Sequence, residues 1–534
     1  MPGILQSVLS VPQHTETAEP TVSLSSDLLS QCASSTFAGN LTLTGADFTS
    51  VTADPVFNFS DTAPEYLNFG HPNTSVFNAT FCNVTVTYTH PGQGDFLTIN
   101  AYLPISNPSW NGRFQAVGGG GWVAGMFSLS YAEMVGALSD GYATITTDAG
   151  VATDMSVESW ALLSEGNVNL YGLQNLGSVS LRDEAIIGKN LIASFYGEGP
   201  KYSYWSGCSQ GGRQGMMLAQ RYPDLYDGIA ANAPAVNWAK LFASIFWPQL
   251  VIDQYLNGTE PAACEINELT SKAIQDCDKL DGIVDGLISE PDLCLSTFHP
   301  DKYVGTSFNC STTGKMTTIS QEAVILANAT WHGPRHPDGS LLWYGLFIGS
   351  PLAHPDLSDL RNILGGQWLR LFVKKNSTFD MRTFTVEDME RSMHRGAAEF
   401  DCIVGTNYPD LREFKELGGK ILAYHGLADP IIPSKNSEHY FNSVTDLMGN
   451  VDDFYRMFEV PGLAHCYGGN GGQPTTLFAA LVDWVENGTV PETIPISFQD
   501  PSGAINNRIL CPYPLKAVWD GVGDTTEESS FYCA

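Results

Sequence analysis

Charge is scarce in this chain, and positive charge is scarcest. Charged residues make up 16% of the sequence, well under the roughly one quarter usual for soluble domains. Of these, 26 are basic and 57 acidic, a formal net charge of −31. That much negative charge repels phosphate backbones and anionic lipid surfaces, which argues against nucleic acid or a membrane as partner. No apolar run reaches the roughly 18 residues a bilayer-spanning helix needs. Internal repeats and low-complexity tracts are missing too. The start, MPGILQSVLSVPQH, has no basic segment and only a short, broken apolar run. A secretory leader is therefore not legible there; either it was removed and an initiator Met restored, or the start is clipped.

What is present nonetheless points to the outside of the cell. The chain carries 11 cysteines. N-x-S/T triplets occur at Asn40, Asn58, Asn73, Asn78, Asn83, Asn257, Asn309, Asn328, Asn376 and Asn487, densest in Thr-rich sequence between 40 and 85. Together they predict a secreted, disulfide-bonded glycoprotein.

Residues 1–25 read as a mobile tail rich in Ser, Thr and Pro. From there to about 110, alternation such as CNVTVTYTH predicts short strands. A different grammar begins at NGRFQAVGGGGW. Strand-like runs end in Gly or small residues and are followed by helical stretches, as in YATITTDAG, YSYWSGCSQGG and YDGIAANAPA. This alternation predicts a parallel sheet with crossover helices. It stops near 238 and resumes at GGKILAYHGLADPIIP and DFYRMFEVPGLAHC. The expected fold is α/β, with a discontinuous catalytic domain (26–238 and 416–534) and an inserted lid (239–415).

Gly207-Cys208-Ser209-Gln210-Gly211 fits G-x-S-x-G, with a strand-like run before it and a helical run after it. That context makes Ser209 a nucleophile on a tight strand-to-helix turn, where side chains at the glycine positions would clash with neighbouring backbone. In this arrangement the acid and then the base follow in sequence. His465, in VPGLAHC after a late strand-like run, is the expected base. His425, at the end of a strand, reads as a packed structural histidine. His332 and His336 are separated by Gly333 and Pro334, which spoils a zinc-binding helical face. Asp429, just past the seventh strand of such a sheet, is the expected acid, with Asp401 and Asp410 as lesser rivals. Cys208 precedes the nucleophile and Cys466 follows the base. If Ser209 and His465 approach to roughly 3 Å, those cysteines enter the ~4.4–6.8 Å Cα range of a disulfide. The oxyanion donors are expected to be the backbone N–H of Gln210 and that of Gly120 or Gly121.

These motifs, with PDLREF and WVENG, resemble the tannase and feruloyl esterase family. The resemblance implies an α/β-hydrolase core with a large lid, a serine esterase acting on phenolic-acid esters, and the Cys208–Cys466 bridge. It also implies a structural Ca²⁺ in CDKLDGIVDGLI, held by side chains of Asp278, Asp281 and Asp285 and carbonyls of Ile283 and Leu287. Cys277–Cys294, which flank that loop, Cys511–Cys533 and Cys32–Cys82 are the further pairings expected. Cys264, Cys310 and Cys402 are left, so at least one thiol stays unpaired. Trp331, Trp343, Tyr344 and Trp368 are candidates for the acyl pocket or for lid core. The substrate expectation leans to feruloyl over galloyl esters. A serine peptidase and a calcium-dependent glycan-binding protein are the competing readings.

Overall fold

The computed structural model describes residues 21–336, 338–353 and 360–534. Residues 1–20 of the expected tail lie outside the described residues, while 21–25 open a helix, Thr21–Gln31.

Nine strands form one sheet: β1 Asp47–Ala63, β2 Thr74–Thr89, β3 Leu97–Ser106, β4 Arg113–Val117, β5 Ala143–Thr147, β6 Tyr202–Cys208, β7 Gly228–Asn232, β8 Lys420–Gly426 and β9 Tyr455–Val460. Their spatial order is β1-β2-β3-β5-β4-β6-β7-β8-β9. The first three pair antiparallel, β3 pairs antiparallel with β5, and every later pairing is parallel. This is an α/β-hydrolase-like fold. The first two strands are not short: β1 has 17 residues and β2 16. β1 continues through Pro55 because it is the sheet's edge, where a missing N–H need cost no ladder bond. Three register irregularities in β1 bend and twist that edge.

The central strands are buried along nearly their whole length, as parallel strands covered on both faces must be. In β8 the side chains alternate: Ile421 and Ala423 pack with helices Ser180–Tyr196, Gln210–Arg221 and Ser434–Met448. Leu422 and Tyr424 pack with helix Leu477–Asn487 on the other face. NGRF and WVENG meet here: the Arg113 guanidinium donates to both carboxylate oxygens of Glu486 at 2.6 Å, and the Tyr204 hydroxyl donates to the same carboxylate at 2.8 Å.

Between β7 and β8 the chain leaves the sheet for a large, mostly helical insertion that includes Trp238–Ile245, Ala263–Cys277, Gln321–His332 and Val386–Phe400. Part of it has its own core, around Leu269, Phe298 and Trp331. Another part shares an aromatic cluster with the sheet domain, where Trp122 packs on Trp238, Phe242, Trp368 and Phe372. That cluster anchors the insertion over the carboxyl ends of the strands.

Candidate active site

Ser209 stands between β6 and helix Gln210–Arg221 with φ +61° and ψ −118°, a conformation an L-residue holds only when its surroundings enforce it. They do so through hydrogen bonds. Its N–H donates to Asn232 O (3.0 Å), and its carbonyl accepts from Arg213 N (2.9 Å) and Ala235 N (3.1 Å). Glycine is required beside it, because a Cβ on Gly207 would lie 2.6 Å from the carbonyl carbon of Gly211.

The Gln210 amide begins the helix and so has no intrahelical acceptor. The Gly-rich loop is braced against it: Gly119 N donates to Gln214 Oε1 (2.9 Å), and Gln214 Nε2 donates to Ala124 O (3.0 Å). Gly120 N is committed to Val123 O at 3.1 Å, whereas the Gly121 amide has no acceptor among the described residues.

Asp429 follows β8 and is buried. Its Oδ1 accepts from the amides of Ile431 (2.8 Å) and Ile432 (2.9 Å). Its Oδ2 lies 2.7 Å from His465 Nδ1 and 3.1 Å from His425 Nε2. His425 Nε2 also faces Ile432 O at 3.1 Å. Two acceptors at one nitrogen require that it carry the proton, while His425 Nδ1 lies in hydrogen-bond contact with the Ser437 hydroxyl at 2.8 Å. Burial by itself would raise the Asp429 carboxyl, but the charge of His465 and hydrogen bonds from both imidazoles outweigh it and hold the group below the usual carboxylate range. The two rivals are engaged elsewhere, Asp401 with Asn407 and Asp410 with Arg412.

The His465 loop closes over the end of β8 only because residue 426 is glycine. A Cβ there would lie 2.2 Å from Leu463 O. The Tyr424 hydroxyl (2.6 Å) and Gln473 Nε2 (3.0 Å) both donate to Cys466 O. Cys466, at φ +60°, is bridged to Cys208 with their Cα atoms 6.0 Å apart. Ser209 and His465 thereby face one cavity of about 550 Å³.

Trp122, Trp238, Phe242, Ile245 and Ile363 line this cavity, as do Tyr66, Phe69, Phe127 and Leu129. None of Trp331, Trp343, Tyr344 and Trp368 is among the lining residues. Trp331 and Trp368 are buried in the insertion's packing, and Trp343 and Tyr344 pack on His439. The pocket's aromatic wall comes instead from residues next to the glycine loop and from the first helix of the insertion. Gln214, His425 and Glu133, none of them site candidates from sequence, also belong to this region. For Gln214 a signal existed, a long polar side chain one turn into the helix after Ser209.

The calcium expectation is corrected. Among the described residues no group of three or more His, Cys, Asp or Glu side chains is disposed to hold a metal ion. The carboxylates of Asp278, Asp281 and Asp285 are used to fold their own loop. Asp278 Oδ1 accepts from the amides of Asp285 and Gly286, and Asp281 Oδ1 from that of Ile283. Asp285 Oδ1 accepts from Leu287 N, while its Oδ2 pairs with Arg508 at 3.0 Å. An arginine supplies the positive charge assigned to the ion, and Ile283 and Leu287 contribute amide donors to these bonds. The neighbouring bridge Cys277–Cys294 is formed, as are Cys32–Cys82 and Cys511–Cys533. Cys264 pairs with Cys310, which leaves Cys402 as the free thiol. Among the described residues no helix is long and apolar enough to cross a membrane.

The family model described as "Tannase and feruloyl esterase" matches residues 82–346 and 347–534. A protein of Arthroderma benhamiae named "Probable feruloyl esterase" is 40% identical over 479 residues, covering 87% of each chain. Among solved structures, the tannin acyl hydrolase from Aspergillus niger superposes with a TM-score of 0.83 at 27% identity, covering 95% of each chain. Feruloyl esterase B from Aspergillus oryzae superposes with a TM-score of 0.78 at 28% identity, covering 95% of this chain and all of that one.

Proposed function

The chain belongs to the tannase and feruloyl esterase family and is a serine-hydrolase-type enzyme, and on that premise we propose that it is a secreted esterase that releases ferulic and related hydroxycinnamic acids from plant cell-wall polysaccharide esters. Ser209 is the nucleophile, His465 the base and Asp429 the acid that orients it. The observation that carries this is the 2.7 Å Asp429–His465 bond, held in one cavity with Ser209 by the Cys208–Cys466 bridge. The insertion, residues 239–415, acts as the lid over the bound acyl group.

His465 takes the Ser209 hydroxyl proton on Nε2 as the Oγ attacks the ester carbonyl. Asp429 fixes the opposite tautomer through Nδ1–H and offsets the imidazolium charge. The oxyanion then accepts from the amides of Gln210 and Gly121. The C–O bond to the alcohol breaks, and the alcohol leaves with the proton from Nε2. Water, deprotonated by His465 in turn, adds to the acyl-enzyme, and the carboxylic acid departs as Ser209 regains its proton.

The 40% identity to the Arthroderma benhamiae protein supports feruloyl over galloyl esters. The second reading, a tannase, draws on the TM-score of 0.83 to the tannin acyl hydrolase. Initial rates on methyl ferulate and methyl gallate, with Ser209→Ala as blank, separate them. Faster ferulate hydrolysis is expected. Wild-type rates in Ser209→Ala would refute the catalytic assignment.

A further inference from the structure

We propose that the carboxyl group of Glu133 sits at the closed end of the catalytic cavity and hydrogen-bonds the phenolic hydroxyl of the acyl group. This rests on the phenolic-ester reading above. Glu133 lies on helix Ser128–Ser139, which follows the glycine-rich loop, and it lines the cavity of Ser209 and His465. It is only 3% exposed, whereas Tyr66 and Tyr467, which line the same cavity, are 48% and 41% exposed. Those two rings lie 5.4 Å apart and mark the cavity's mouth.

A carboxyl group in such a place needs a partner. Glu133 Oε2 has none. No cation pairs with it among the described residues, and the cavity lining it shares includes the apolar Phe69, Phe127 and Leu129. Tyr424, the hydroxyl its charge would influence, already donates to Cys466 O. Burial pushes the carboxyl well above its ordinary pKa. In its protonated form, which burial favours, it donates one hydrogen bond and accepts others. Polar contact from the substrate is what the site lacks.

The geometry also selects which part of the substrate can reach it. An alcohol carried by a polysaccharide has to remain at the mouth. Only the small acyl group can enter the closed end, and its ring hydroxyl is the polar group on that part. A site built to bond a hydroxyl rejects the analogue that lacks it, because its own buried polar atom is then left unpaired.

The test compares kcat/KM for a free phenol and its methyl ether: methyl ferulate against methyl 3,4-dimethoxycinnamate, or methyl gallate against methyl 3,4,5-trimethoxybenzoate if galloyl esters are preferred. Wild type, Glu133→Leu and the isosteric Glu133→Gln are measured alongside thermal melts. The wild-type preference for the free phenol is expected to fall about 10- to 100-fold in Glu133→Leu and to survive in part in Glu133→Gln. An unchanged ratio in Glu133→Leu would overturn the proposal. So would an equal loss on both esters, which would make Glu133 a support for the cavity's shape. As a second readout, Ser209→Ala should bind free ferulate (or gallate) about 10-fold more tightly than Ser209→Ala/Glu133→Leu, and equal affinities would count against the hydrogen bond. If wild type reacts with a fluorophosphonate at Ser209 yet hydrolyses no phenolic ester, the phenolic reading itself fails and takes this assignment with it.

Discussion

Removing the Cys208–Cys466 bridge, between the proposed nucleophile and base, separates its mechanical role from its contribution to stability. In the chain-entropy description, a cross-link over n residues removes about 2.1 + 1.5R ln n cal/mol/K from the unfolded chain. For the separation of 258 residues between Cys208 and Cys466, that gives an upper value of ~5.5 kcal/mol at 25 °C. Unfolding carries ~2.1 cal/mol/K per residue, or ~1.1 kcal/mol/K over 534 residues, so the predicted fall in Tm is only ~5 °C. Activity should suffer far more. Ser209 and Cys466 both hold positive φ, at 61° and 60°, and the bridge ties these two turns together. Relaxing either one moves Oγ relative to His465 Nε2, and a displacement of about 1 Å can cost ~100-fold in rate. The assay is kcat on the preferred methyl ester for Cys208→Ala/Cys466→Ala, beside a melting curve. Cys511→Ala/Cys533→Ala is the control, with a separation of 22 residues and an expected loss of ~3.4 kcal/mol, or ~3 °C, at full kcat. A Cys208/Cys466 variant with kcat within about twofold of wild type and a lowered Tm would refute the positioning argument.

Three further outcomes follow from the same geometry. Asp429→Asn should lower kcat by about 10⁴-fold, because the amide can stabilise the wrong His465 tautomer and cannot offset the imidazolium. The Asp429 carboxylate is depressed in the fold, so its stabilisation is full above the unfolded value of about 3.9 and is lost as pH falls through the folded one. Melts of wild type and Asp429→Asn should therefore converge only below about pH 4. Glu184 behaves in the opposite sense. It is fully buried, both carboxyl oxygens lack partners, and burial pushes its pKa well up. Wild type should lose about 1.4 kcal/mol per pH unit once the unfolded chain ionises this group, above about pH 4.3. Glu184→Gln should remove that component, and parallel pH–Tm curves would refute it. Gly426→Ala sets a Cβ 2.2 Å from Leu463 O and should displace the His465 loop, cutting kcat sharply while fluorophosphonate labelling of Ser209 slows in proportion.

The site was legible wherever one short stretch carries both a residue and its geometric reason. Gly207 to Gly211 and the cysteines beside Ser209 and His465 are of this kind, since tight turns and adjacent thiols leave marks in local sequence. His425 is too: it reads as a packed histidine and is buried on Asp429, Ile432 and Ser437, all within 12 residues of it. Glu133 is not. Its cavity is completed by Ser209, Trp238 and His465 from distant parts of the chain, so nothing near Glu133 announces that it will be buried with an unpartnered oxygen. The calcium expectation, which the family resemblance carried and the acidic spacing only allowed, failed for a related reason. Asp278, Asp281 and Asp285 look like free oxygen ligands in sequence, but Arg508 arrives from the C-terminal hairpin to take Asp285, and backbone amides take the others. A local acidic spacing cannot reveal a distant cation that already neutralises it. Of the two roles open to the insertion's aromatics, cavity or core, none of the four named lines the cavity: Trp331 packs in the insertion's core, Trp368 on Trp122 and Trp343 on His439, while Trp122 and Trp238 line the cavity. Large aromatic side chains go where most apolar surface can be covered. Which of them border a cavity is decided by the packing of whole elements, and single-position reasoning does not reach that level.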